Sequence, residues 1–304
     1  MDGVYSLDKL VIWLKVKTVI VNEIGRMLEF GASDIYGVLM KSFVGKSPGL
    51  CGLNYSIAVE DEESYYLGIG RYGAAPNEYW VECKVEFNPA KVDKSKQFTA
   101  LYDRLLANAK YVEFKRFDVA IDYPEEREKF FLLKDQRVCN DKCYSLSNRT
   151  TYLGVRSSHG QIKLYNKQLE SKLDYPLTRL EMTLDYAKAS WSEFRRMWPK
   201  VYCVMGPPPD DLQGVDRVLV MAVIEHPDYI MHLPYKKHKK IEQLIETAAQ
   251  KLMPSEINYK IILQQILEYG KGLPLGTFEE LEDMSDVFEP ELEFEADCGE
   301  QEKL

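Results

Sequence analysis

Histidine is scarce in this chain of 304 residues: it occurs only at 159, 226, 232 and 238, and no two are separated by a single residue. A metal centre built on a His-x-His pair is thereby excluded, and His226 and His232 are expected to be structural. Long apolar runs are missing too. Stretches such as VLVMAVI (218–224) fall far below the roughly 20 residues that cross a bilayer. The opening MDGVYSLDKL has no basic segment followed by an apolar one, so no secretory signal and no membrane partner are expected, and the chain is read as cytoplasmic. Of the six cysteines (Cys51, Cys83, Cys139, Cys143, Cys203 and Cys298), only Cys139 and Cys143 are close, and no second pair completes a zinc site. In a reducing compartment they are expected as free thiols.

A basic excess is also lacking. The formal net charge is −9, which runs against nucleic acid as a partner, because a phosphate backbone rewards Lys and Arg. The deficit is local, however. Residues 277–304 hold twelve acidic residues and one Lys; without them 38 basic residues face 36 acidic ones, a net of +2.

What is present is a series of strand signals followed by helical ones. LDKLVIWLKVK (7–17), LNYSIAVE (53–60), SYYLGIGRYG (64–73), EYWVECKVEFN (78–88), KRFDVAIDY (115–123), TTYLGVR (150–156), QIKLYNKQLE (161–170) and LTRLEMTLDY (177–186) read as strands. SSHG between the sixth and seventh reads as a hairpin turn. Residues 22–43 and 91–112 read as helices, and from about 187 to 270 the pattern is helical, broken at GPPPDD (206–211) and HLPYKKHKK (232–240). The expected fold is α+β: a largely antiparallel central sheet over 1–186, a mostly helical part over 187–275, and an acidic, aperiodic tail over 276–304 that is expected to be disordered.

Side chains alternate between the two faces of a strand. That rule sets Glu82, Lys84 and Glu86 opposite Val81, Val85 and Phe87, and sets Arg116, Asp118 and Asp122 opposite Phe117, Val119 and Ile121. It likewise sets Lys163, Tyr165 and Lys167 opposite Ile162 and Leu164, and Arg179, Glu181 and Thr183 opposite Leu180, Met182 and Leu184. A sheet with one face in water would give the same alternation. The residue types point elsewhere: carboxylates gathered on neighbouring strands repel one another unless a cation neutralises them, and hard oxygen donors of this kind suit Mg²⁺ or Mn²⁺. A divalent ion beside a tyrosine and several Lys/Arg fits phosphoryl transfer. A phenol needs a neighbouring base or cation to act as nucleophile, and Lys163 and Lys167 flank Tyr165 on its own face. Alternation by itself does not single out Tyr165 among 20 tyrosines. The run KKHKK (236–240) opens an amphipathic segment and is either a phosphate-contacting helix start, with Lys236, Lys237, Lys239 and Lys240, or a solvated basic face.

In order and spacing, VEFNP (85–89), RFDVAID (116–122), TYLGVRSSHGQIKLYNKQLE (151–170) and TRLEMTL (178–184) resemble the Rep_trans family, the replication initiation proteins of small rolling-circle plasmids, with related relaxases in integrative conjugative elements. The resemblance covers roughly residues 78–186, and the hairpin segment is its most specific part. It implies an enzyme that nicks one strand of origin DNA through a tyrosine, leaving a 5′-phosphotyrosyl bond and a free 3′-OH that a host DNA polymerase extends while a helicase unwinds the duplex. By this resemblance Tyr165 is the nucleophile, Glu86, Asp118 and Glu181 hold the metal with Asp122 as a fourth candidate and Asp8 as a further one, and Lys167, Arg156 and Arg179 contact phosphate. Residues 1–186 then form the nicking domain, and 187–275 serve DNA binding or dimerisation, since a homodimer offers a second tyrosine. Better-known initiators and relaxases bind metal through a histidine cluster; this chain has none and fits a carboxylate variant. A conjugative relaxase uses the same chemistry, and a non-catalytic DNA-binding regulator on the same scaffold is the alternative from another class.

Overall fold

The computed structural model describes residues 2–29, 41–44, 52–58, 64–70, 79–93, 95–143, 148–207 and 209–270. The middle of the expected helix 22–43 and the acidic tail lie outside them. The described elements run β1 (Val4–Lys17), α1 (Thr18–Glu29), β2 (Lys41–Val44), β3 (Gly52–Ala58), β4 (Ser64–Gly70), β5 (Trp80–Phe87), α2 (Pro89–Val92), α3 (Lys96–Leu106), β6 (Ala109–Tyr123), β7 (Phe130–Leu132), β8 (Cys139–Cys143), β9 (Arg149–Leu153) and β10 (Ile162–Asn166). There follow α4 (Lys167–Ser171), β11 (Thr178–Asp185), α5 (Trp191–Met197), β12 (Val201–Cys203), α6 (Gly214–Glu225), α7 (Tyr235–Ala248), β13 (Gln250–Lys251) and α8 (Glu256–Glu268).

The fold is α+β. Ten of these strands form one sheet in the order β2-β3-β4-β5-β1-β6-β11-β10-β9-β8, and the described pairings within it are antiparallel. The apolar face of the sheet, with Leu10, Ile12 and Leu14 of β1, Phe117, Val119 and Ile121 of β6, and Leu180, Met182 and Leu184 of β11, is fully buried. Against it pack α1, α3, α5 and α8, through Ile24, Leu101, Phe194 and Ile262 among others. Alternation in the sequence therefore translates directly into a one-sided core.

Three expectations change. The helix expected over 22–43 begins at Thr18 and is described as far as Glu29, and residues 41–44 are a strand paired with β3. The helix expected over 91–112 is split: the Asn88 side chain caps α2, the Ser95 hydroxyl caps α3, and from Ala109 the chain is already in β6. The expected boundary at 186 is crossed by both hydrophobic cores. Tyr259 and Ile266 of α8 and Phe194 of α5 belong to the sheet's core, whereas Phe131 and Leu133, from the first part of the chain, join α6 and α7 in a second cluster. The bridge is a three-stranded sheet, β13-β12-β7, whose strands of two or three residues are too short to carry a period. No helix among the described residues is long and apolar enough to cross a membrane.

Two polar anchors hold the periphery to this core. Arg127, 2% exposed, donates to the carbonyls of Arg149 and Phe130 and to the Thr151 hydroxyl, tying β7 to β9. On the loop between β9 and β10, the His159 Nδ1 accepts from the Asp185 backbone N–H, so its Nε2 carries the proton and donates to Glu193 of α5 at 2.8 Å. The hydrogen bonds from Arg196 and then His159 hold the Glu193 carboxyl down at about 2.

Arg127→Ala removes three hydrogen bonds, two of them buried, and is expected to lower stability by on the order of 3 kcal/mol, measured by urea unfolding. For Glu193 the folded pKa lies below the ordinary 4.5, so its contribution is present above that pH and disappears as pH falls. The melting-temperature gap between wild type and Glu193→Gln should be open at neutral pH and close between pH 4.5 and about 2; a gap independent of pH would refute the anchoring role.

Candidate active site

Antiparallel register brings the ionisable residues of five strands onto one face. Lys9 of β1 lies opposite Asp118 of β6; Asp118 lies opposite Thr183, and Asp122 opposite Arg179, on β11; Lys163 and Tyr165 of β10 lie opposite Glu181 and Arg179. Glu86 joins from β5, where it pairs with Val11 in register. This face is not a solvated one at its centre: Asp118 is 6% and Glu181 5% exposed.

Glu181 is the hub. Its Oε1 accepts the Tyr165 hydroxyl at 2.5 Å and its Oε2 accepts Lys163 Nζ at 2.6 Å. Burial works to raise its pKa, but Lys163, then Tyr165 and Arg179, together hold the carboxyl below its ordinary range. The same contacts act oppositely on their partners. Burial and then the Glu181 charge push the Tyr165 phenol well above its ordinary value, and Lys163 is held above the ordinary ammonium range despite its burial. At neutral pH the proton therefore sits on Tyr165, aimed at an ionised carboxylate.

Arg179 forms the second node. Its Nε and Nη2 reach the two oxygens of Asp122 at 2.6 and 2.7 Å, and its Nη1 reaches Asp8 at 2.7 Å. Both Asp122 oxygens are thus engaged by Arg179, as both Glu181 oxygens are by Tyr165 and Lys163 and both Glu86 oxygens by Lys9 and Lys84. Asp8 also accepts from Asn88 at 3.1 Å. It reaches this face because the β1–β6 register slips between Leu7 and Lys9, so two successive side chains turn to one side. Strand alternation alone could not have placed Asp8 beside Lys9. Glu86 is bound by Lys84 at 2.5 Å and by Lys9. These two lysines were not among the expected site residues; the signal for Lys84 was its place on the face of Glu86.

Asp118 differs from its neighbours. Its Oδ1 is buried with no hydrogen-bond partner, and burial raises the carboxyl above its ordinary range against the pull of Lys163, Thr183 and Lys9. Among the described residues, no three His, Cys, Asp or Glu side chains are gathered closely enough to hold a metal ion. Lys9, Lys84, Lys163 and Arg179 stand between the carboxylates instead. The donor chemistry of Asp118 and Glu181 suits a hard cation, and the unpartnered Asp118 oxygen is an open position for one.

The remaining expected residues divide. Lys167, in the first turn of α4, lies 5.9 Å from the Tyr165 ring centroid and pairs with Glu170. Arg156 is exposed in the β9–β10 loop. Lys236, Lys237, Lys239 and Lys240 lie at the start of α7, in the second cluster, where Lys237 and Lys240 are both held by Asp216 of α6 and Lys239 lies over the Tyr235 ring.

No protein-family model matches the chain. It is 30% identical to a replication initiation protein of Staphylococcus aureus over 177 residues, 54% of each chain, and 30% identical to a second such protein of the same species over 91 residues, 29% of each. The chain spans about half the length of the first of these curated relatives. A rolling-circle replication initiator from Geobacillus stearothermophilus is a structural neighbour, with a TM-score of 0.35 and 13% identity over 89% of this chain and 97% of that one. The chain thus resembles, over part of its length, curated proteins described as replication initiation proteins.

Proposed function

We propose that this protein initiates rolling-circle replication by nicking one strand of origin DNA through Tyr165. The observation that carries the proposal is the part-buried contact of the Tyr165 hydroxyl with the ionised Glu181 carboxylate, itself held by Lys163. A phenol of raised pKa is a poor nucleophile until its proton has an acceptor at hand, and Glu181 Oε1 is 2.5 Å away. In the proposed step the phenolic oxygen attacks the phosphorus as its proton passes to Glu181. The bond from phosphorus to the 3′-oxygen breaks, and that oxygen takes a proton to become the 3′-OH primer. The product is a 5′-phosphotyrosyl link. Lys163, Arg179 and Lys167 supply positive charge around the phosphate. A conjugative relaxase would run the same step at a transfer origin.

We also propose that Mg²⁺ or Mn²⁺ is held by Asp118 and Glu181, with Glu86 beside them; the support is the unpartnered buried oxygen of Asp118. Such an ion polarises a phosphate oxygen and stabilises charge in the transition state. Origin DNA is the proposed substrate, and a host helicase and DNA polymerase would act on the nicked product. A homodimer would present two tyrosines.

Incubation with supercoiled origin DNA and Mn²⁺ should give nicked circles covalently bound to protein. Tyr165→Phe, which keeps the ring and loses the hydroxyl, should abolish the adduct; wild-type nicking by this variant would refute the assignment. Asp118→Asn should lower the rate by about 10²-fold or more and raise the Mn²⁺ concentration needed for half-maximal nicking. An unchanged metal dependence in both Asp118→Asn and Glu86→Gln would remove the metal assignment.

A further inference from the structure

The loop from Gly154 to Gln161, which joins β9 to β10, is fixed far more firmly than its exposed tip requires. Three of its residues have left-handed backbones, at φ of +89° for Gly154, +58° for Ser157 and +76° for Gly160. A side chain at Gly160 would also collide with Met197, whose Cε lies 1.7 Å from where a Cβ would be. A non-glycine residue in this region is uncommon, and such conformations persist where the surroundings over-determine them. Here they do. The Ser157 N–H donates to the Gln161 side chain at 2.6 Å, and the Ser157 carbonyl accepts Arg116 at 2.8 Å. The Gly160 carbonyl accepts Arg137 at 2.9 Å and its N–H donates to Thr183 at 2.8 Å, while the Gly154 N–H donates to the Val138 carbonyl at 2.6 Å. His159 is held at both ring nitrogens.

This rigid frame displays two side chains with nothing to do inside the fold. Val155 is 64% exposed, and Arg156 is exposed with no partner among the described residues. Arg116, which fastens the tip, comes from the same sheet face as Tyr165, and β10 itself links the two. From Ile162 to Tyr165 the strand advances roughly 10 Å, about three nucleotide steps of one DNA strand at ~3.4 Å each. The lysines of α7 offer a weaker case, because Asp216 already neutralises two of them.

We infer that the β9–β10 tip is a preformed DNA contact that sets which phosphate reaches Tyr165: Arg156 binds a backbone phosphate and Val155 packs on a sugar or base next to it. This rests on the reading of the chain as a DNA-nicking initiator. A rigid mount suits that role, since an element that fixes register must lose little freedom on binding. An isolated cation on a mobile loop would add affinity without adding position.

The test is anisotropy of a fluorescein-labelled, mixed-sequence DNA duplex titrated with the full chain over a series of NaCl concentrations. Arg156→Ala should make the slope of log affinity against log salt shallower by about one. Val155→Ser should weaken binding by roughly tenfold at unchanged slope, as loss of an apolar contact does. Lys260→Ala, an exposed cation of α8, should keep the wild-type affinity and slope, and all three variants should melt with the wild type. Wild-type slope in Arg156→Ala together with wild-type affinity in Val155→Ser overturns the inference. Should the wild type bind DNA, with these two variants weakened as stated, yet fail to nick supercoiled origin DNA, the nicking reading falls and the contact stands. Should the wild type not bind DNA, both fall.

Discussion

The Glu181 carboxylate is the constraint around which the centre of the sheet is organised. An ionised carboxylate at 5% exposure costs several kcal/mol unless it is paired and hydrogen-bonded. Lys163 and Tyr165 meet that need from one strand, two residues apart, on the same side. Only one register of β10 against β11 brings both within reach, because a slip by one residue would turn them to the apolar face. The electrostatic requirement and the apolar pattern of Ile162 and Leu164 therefore select the same pairing.

The same logic extends across the face. Carboxylates and cations come in linked sets: Glu86 with Lys9 and Lys84, Glu181 with Lys163, and Asp8 and Asp122 with Arg179. Asp118 is the exception, with a buried oxygen left unpartnered. A site that handles a phosphodiester needs both signs of charge, cations for the phosphate and an acceptor for the proton. The face supplies both while keeping its own repulsion low. Its centre is also held by two packed layers, since the opposite side of the same strands is the main hydrophobic core. Rigid strands place the groups, and short connections such as the β9–β10 loop carry residues outward.

Much of this was legible from alternation. The faces of β5, β6, β10 and β11 follow directly from their sequences, because period two holds wherever a strand is regular. Three features escaped alternation. Asp8 sits at a register slip, where alternation fails by construction. Lys9 becomes a partner of Glu86 only through the neighbouring placement of β1 and β5, which are far apart in the chain. The role of Asp122 depends on which side chain stands opposite, and that is Arg179 of a strand more than fifty residues on. The helix starts at Asn88 and Ser95 were local signals, yet the run of apolar positions through 98–109 hid the early entry into β6.

Resemblance to a known family pointed to Tyr165 among twenty tyrosines, whereas the sequence by itself determined the strand faces and the lack of a histidine metal cluster. Those properties depend on composition, spacing and periodicity, which are local. Tertiary structure alone decided that Tyr165 meets Glu181, that Asp122 and Asp8 share Arg179, that α5 and α8 complete the sheet's core, and that β7 is divided, with Phe130 and Leu132 in that core and Phe131 in the second cluster. Those are pairings between distant segments, set by strand order and by the need to satisfy buried charge, and neither is written in any one stretch of the chain.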